Sequence, residues 1–222
     1  MKNKISSAIF AIALAILILT FSIGLPIYFR PFYYIQIDTL DMVENTGYSY
    51  EVIKTAYDEV LDYLTMPWCE FGTGELKHSE SGASHFADCL VLFNLNAYAL
   101  IISLAIVITL FVLHKKEKIT LLSPHGYHLG FWSGSILLGT FTVIALLAAS
   151  DFNTAFVVFH SLFFPGKTNW YFDPSTDEII RVMPQEFFMN CAILIVASII
   201  LLSVAAIVSA IIVRKKKEKG VN

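Results

Sequence analysis

Three polar residues stand out by type and place: His85, Asp88 and His160. Imidazole is the side chain best matched to proton transfer near neutral pH. Asp88 follows His85 by three residues, so on a helix it shares that side and can orient the ring. His160 sits among Phe156, Phe159, Phe163 and Phe164. An apolar setting of that kind favours the neutral ring, and hence a base. Ser84 or Cys89, beside His85, offers a nucleophile. A metal would need a third strong ligand next to His85, Asp88 and His160, and none is evident, so no metal is expected. The chain has no Gly-x-Ser-x-Gly elbow, no His-Glu-x-x-His and no glycine-rich nucleotide loop. On spacing alone, two unrelated interfacial histidines remain the plainer reading. His78, in a loop with glutamates, reads as plain surface.

The elements that must carry these residues are set by the bilayer. The 222-residue chain is 56% hydrophobic and 15% charged, against roughly 45–50% and about 25% in soluble domains. The excess is concentrated in four runs: Ile5–Ile27, Phe86–Leu113, Tyr127–Ala149 and Phe187–Val213. Each is long enough for a helix to cross a hydrocarbon layer of about 30 Å. Helices satisfy their own backbone hydrogen bonds, as that layer demands. The expected fold is an all-α membrane protein, a single four-transmembrane-helix bundle over residues 1–222 with an extracellular helical and loop cap (28–85 and 150–186).

Basic residues set the orientation. Lys2 and Lys4 precede the first run; Lys115, Lys116 and Lys118 lie between the second and third; Arg214, Lys215, Lys216, Lys217 and Lys219 follow the fourth. Positive flanks stay in the cytoplasm, so both termini are expected inside a multi-pass cell-membrane protein. Most acids fall in residues 28–85 and 150–186, the side expected outside. The first run is too long for a typical signal-peptide core and no small-residue cleavage site follows it, so it reads as a retained anchor. Counting about 1.5 Å per residue back from Leu113 puts His85 about 42 Å along the second helix, at the outer interface.

Local patterns fill in the cap. Ile53, Ala56, Tyr57, Val60, Leu61 and Leu64 form an amphipathic stripe, with Ser49 as N-cap and Pro67 as a stop; the helix is expected on the membrane surface or over the bundle. Residues 70–84 read as a mobile loop. Asn153 and Thr154 are expected to cap a short helix over Ala155–Phe164, ended by Pro165-Gly166. That helix is too short to span and suits the outer interface. Asp177 is a candidate cap for one further turn. Gly126, Gly130 and Gly134 let helices approach closely. Cys69 and Cys89 are both placed where they could pair, and Cys191 reads as packing.

Two stretches resemble a known family. His85-Phe86-Ala87-Asp88-Cys89 is similar to its His-x-x-Asp motif at the head of the second span. A longer match runs from Asp151-Phe152-Asn153 through Phe156 to Phe164. It continues through Trp170-Tyr171-Phe172-Asp173-Pro174 and Asp177 to Pro184 and Phe187-Phe188. Both resemble the lipoprotein intramolecular transacylases, membrane proteins of Gram-positive bacteria, in span order and loop length along the whole chain. The resemblance implies transfer of the sn-2 acyl chain of a diacylglyceryl lipoprotein to the amine of its N-terminal cysteine, leaving a lyso-lipoprotein. It implies His85 and His160 as the catalytic pair at the outer leaflet, and no cofactor. The partners expected are diacylglyceryl-modified lipoproteins and membrane lipid, not nucleic acid. Asp88, Arg30, Arg181, Trp170 and Asp173 are candidates to bind or orient substrate; for Arg30 and Arg181, anchoring at the interface stands as an equal role. Without the resemblance, a non-enzymatic lipid- or partner-binding accessory protein is the alternative.

Overall fold

A computed structural model describes residues 2–220. Met1, Val221 and Asn222 lie outside them, as does the side chain of Lys2, one of the basic residues used for orientation. The helices, in order, are α1 (Lys2–Tyr28), α2 (Pro31–Thr39), α3 (Met42–Thr46), α4 (Tyr50–Thr65), α5 (Glu80–Lys115), α6 (Leu129–Ser150), α7 (Phe152–Phe163), α8 (Ile179–Val182) and α9 (Gln185–Glu218). There is no strand among the described residues. Four helices, α1, α5, α6 and α9, are long and apolar enough to cross a membrane. The second is longer than its apolar run suggested, because it begins at Glu80. The chain divides into two compact units: Leu25–Asn96 with Ala148–Ile193, and the remainder.

The unit containing Leu25–Asn96 and Ala148–Ile193 carries both histidines. Its core gathers α2, α4, α8 and the start of α9. Tyr33 stacks on Tyr57 at 3.6 Å between ring centres, and Phe187 meets Tyr33 edge-on at 5.2 Å. The Tyr33 hydroxyl donates to the Val182 carbonyl at 2.6 Å, so the buried ring has both its apolar body and its polar end satisfied. Ser49 caps α4 by accepting from the Val52 amide. The stripe from Ile53 to Leu64 is buried in this core beside Ile179, Val182 and Phe187. The α4 stripe therefore packs against protein rather than lying on lipid.

Residues 70–84 are pinned rather than mobile. The Gly74 amide donates to Glu59 at 2.6 Å, the Lys77 amide to Glu178 at 2.9 Å, and the Ser79 amide to Asp177 at 2.8 Å. Their Gly-, Ser- and Glu-rich composition marks turns, but the acids that accept from them lie far away in sequence. Asp177 also accepts from the Ser79 hydroxyl, so it fastens the head of α5 and leaves the start of α8, at Glu178, without a side-chain cap. At α7 the cap is Asp151, accepting from the Thr154 amide at 3.0 Å; the helix starts earlier than Asn153 or Thr154 would have made it. The buried residue of α7 is a polar one: His160 is 8% exposed, while Val158, Phe159, Leu162 and Phe163 are open.

The second unit is built from segments of α1, α5, α6 and α9. Ile18, Leu137 and Ile199 make its buried apolar cluster. A Cβ added at Gly134 would come within 2.7 Å of the Ser203 carbonyl on α9. The small residue is what lets two backbones approach so closely. Ser133 donates its hydroxyl to the Ala11 carbonyl of α1 at 2.8 Å.

Candidate active site

His85 enters on the second turn of α5 and His160 on the third turn of α7. Their ring centres lie 5.9 Å apart, tilted by 35°. Aromatic rings enclose the pair. Phe164 lies 4.9 Å from His85 and 5.8 Å from His160. Phe172 lies 5.5 Å from His85. Trp170 stacks on His160 at 4.6 Å and donates its indole N–H to the Lys167 carbonyl at 3.0 Å. Phe156 flanks His160 at 4.2 Å. His85 is 5% exposed, so both rings are largely withdrawn from water.

The nitrogens are not equivalent. His160 Nδ1 lies 2.7 Å from the Phe156 carbonyl, one turn back on α7. His85 Nε2 lies 3.4 Å from Cys89 Sγ. His85 Nδ1 has no hydrogen-bond partner among the described residues. Burial holds His160 below the ordinary imidazole range, with the Phe156 carbonyl working the other way. A neutral ring with a free lone pair can take a proton from an incoming amine.

Asp88 does not orient His85. Its carboxylate is engaged by the Lys167 ammonium and by the Asn169 amide at 3.0 Å, while Asn169 also reaches Ser84 at 3.4 Å. The three-residue spacing put Asp88 on the right side of α5, but two donors from the segment after α7 claim it. The result is a clasp between the segments that bear the two histidines. Gly166, at φ 74°, turns the chain after α7 so that Lys167 can make that contact; such a backbone suits glycine. Cys69, Cys89 and Cys191 are all unpaired thiols. Among the described residues no three His, Cys, Asp or Glu side chains come together as a metal-ligand set.

Residues 8–188 match the lipoprotein intramolecular transacylase family, Lit. The chain belongs to this family. It is a membrane-integral enzyme of the transacylase class, with lipoproteins as the family's substrates. No curated protein matches it. Its fold is similar to that of the membrane-integral lipoprotein intramolecular transacylase Lit from Bacillus cereus, solved in meso. The TM-score is 0.87 at 24% identity over 98% of each chain. Two variants of the Bacillus cereus protein, with a histidine replaced by arginine or by alanine, superpose with a TM-score of 0.79 at 23% identity. The arginine variant covers 99% of this chain and 95% of its own; the alanine variant, 98% and 96%.

In this Lit-family protein the remaining polar candidates are engaged elsewhere. Arg30 pairs with Asp58 at 2.9 Å and with Asp62. Arg181 donates to the Tyr48 hydroxyl at 3.0 Å and to the Thr46 carbonyl at 2.9 Å. Asp173 accepts from the Ser175 amide and hydroxyl. His78 is exposed and bonds Thr73 Oγ1 at 3.0 Å. Sequence reasoning missed Lys167 and Asn169 as partners of Asp88, and Phe172 as a wall for His85. No spacing rule would have found them, because each contact joins segments about 80 residues apart.

Proposed function

We propose that this transacylase moves the sn-2 acyl chain from the glycerol of a diacylglyceryl lipoprotein to the α-amine of the N-terminal cysteine. The observation that carries the reading is the meeting of His85 and His160, from separate segments, inside one aromatic enclosure. Ester-to-amide transfer needs a deprotonated amine, an accepted charge on the carbonyl oxygen and a protonated leaving alkoxide. Two imidazoles supply those needs without redox chemistry. Holding donor ester and acceptor amine on one substrate makes the attack effectively unimolecular.

The substrate is amphiphilic, and α7 suits it. Its open face of Val158, Phe159, Leu162 and Phe163 favours acyl chains, and its buried face presents His160. A helix of this kind lies in the interface plane, at the depth of glycerol esters. Trp170 stacks on His160 and the Asp88 clasp ties together the segments that bear the two histidines, while Arg30, Arg181 and Asp173 hold the scaffold. The basic clusters put both termini in the cytoplasm and this site at the outer leaflet. A reporter fused after Asn222 is expected to be active inside only, and one inserted near Gly74 outside only.

The decisive assay uses purified protein and a synthetic diacylglyceryl lipopeptide with a free N-terminus. Fragmentation mass spectrometry should show one acyl chain moved to the N-terminal residue at unchanged total mass. An unchanged fragment pattern with folded protein would sink the reading.

A further inference from the structure

We propose that Cys89 fixes His85 as the Nδ1–H tautomer, so that His85 donates to the ester oxygen while His160 Nε2 alone carries the proton. The proposal rests on the acyl-transfer reading for its chemistry and on ring contacts for its geometry.

His160 is the simpler case. The Phe156 carbonyl, 2.7 Å from Nδ1, can only accept, so Nδ1 bears the hydrogen. The lone pair of neutral His160 is therefore on Nε2.

His85 is decided by a weaker contact with a clear asymmetry. Its Nε2 is 3.4 Å from Cys89 Sγ, one turn along α5. A thiol sulfur is a weak acceptor, whereas an imidazole lone pair is a good one. The thiol therefore donates to Nε2, and the ring hydrogen sits on Nδ1. Nδ1 is also the nitrogen with no hydrogen-bond partner among the described residues, on a ring only 5% exposed. Buried donors are normally paired. The ester brings only acceptors and the amine brings a proton to lose, so a donor at His85 and a lone pair at His160 complement the two reacting groups.

The proton and electron balance then closes on one base. The amine lone pair attacks the ester carbonyl carbon, forming the N–C bond. The carbonyl π electrons move to oxygen, where the His85 N–H stabilises the negative charge. The amine proton passes to His160 Nε2. On collapse the bond from the carbonyl carbon to the sn-2 oxygen breaks, and the leaving alkoxide takes the proton from His160. Both rings end as they began, and no imidazolate forms at His85. Cys89 is a positioning residue here: it sets the tautomer and touches no reacting atom.

The test is the tautomer itself, read from ring nitrogen shifts of the full chain labelled with 15N-histidine, with the His85 signal assigned by its loss in His85→Gln. Wild-type His85 should show the hydrogen on Nδ1, as should His160. Cys89→Ala should move His85 toward a tautomer mixture and lower kcat about tenfold with KM unchanged. Wild-type His85 with its hydrogen on Nε2 overturns the proposal even if acyl transfer is robust. So does Cys89→Ala that leaves tautomer and kcat unaltered. Should Cys89→Ala fail to fold, the wild-type spectrum decides alone. Absence of acyl migration by wild-type protein with His85 in the Nδ1–H form would strike the functional reading instead, and with it the donor role.

Discussion

The two units hold themselves together by different means. In the histidine-bearing unit, contacts between distant segments are specific: the stacked Tyr33–Tyr57 pair, Asp177 on Ser79, and Lys167 and Asn169 on Asp88. In the other unit a hydrogen bond between distant segments, Ser133 to Ala11, accompanies a close approach of backbones at Gly134 and Ser203, around a small apolar cluster. Lipid tails are as apolar as leucine, so a helix surface facing them gains little by burial and must gain by close fit. Hydrogen bonds and rings, by contrast, can fix side chains at set distances, which a reaction centre requires. Chemistry and anchoring are thus served by separate kinds of packing.

The sharpest way to break this division is at the histidines. His85→Ala and His160→Ala should each lower turnover by about 10²–10⁴-fold. The double variant should be little worse than either single one, since groups acting as a unit are not additive. His78→Ala is the control and should stay near wild type. Retention of most activity by His160→Ala would dismantle the pair. Ring-nitrogen shifts of the 15N-histidine-labelled chain give the matching pH test. His160 works as the neutral base and burial holds it low, so its ring should take up a proton as pH drops with a midpoint below the ordinary value of 6.5. A midpoint above that value would argue against a buried base.

The clasp is the next target. Asp88→Ala leaves Lys167 and Asn169 without their acceptor and should slow turnover about tenfold by loosening the ring geometry. Lys167→Met should do much the same, and the double variant should show strong coupling, because both remove one shared interaction. Additive losses would mean that the two residues act separately.

Gly134 probes the other unit. Its added Cβ would meet a backbone carbonyl at 2.7 Å, which cannot swing aside. Gly134→Val should cost about 1–3 kcal/mol of stability, read as a lower thermal midpoint, with turnover per folded molecule close to wild type. Gly139 lies on the same helix with nothing within 4 Å of an added Cβ, so Gly139→Ala should not lower the midpoint. The smallest effect is expected from chelation: EDTA should leave turnover unchanged, and loss with rescue by zinc would overturn the two-histidine chemistry.

What the sequence determined by itself is governed by rules local to the chain. Four apolar runs of helix-spanning length become helices in lipid, because only a helix satisfies the backbone of such a run from within itself. The Ile53–Leu64 stripe and Ser49 cap follow from a 3.6-residue repeat and one hydroxyl. His85 and His160 could be picked out as residue types suited to proton transfer, one at a helix head and one among phenylalanines. Only the tertiary structure decided what each side chain touches. Asp88 shares a helix side with His85 yet serves Lys167, and Asp177 fastens a segment about 100 residues away. Such pairings depend on distance in space, and a charged or polar group takes whichever partner the packing brings within about 3 Å, whatever its spacing along the chain suggests.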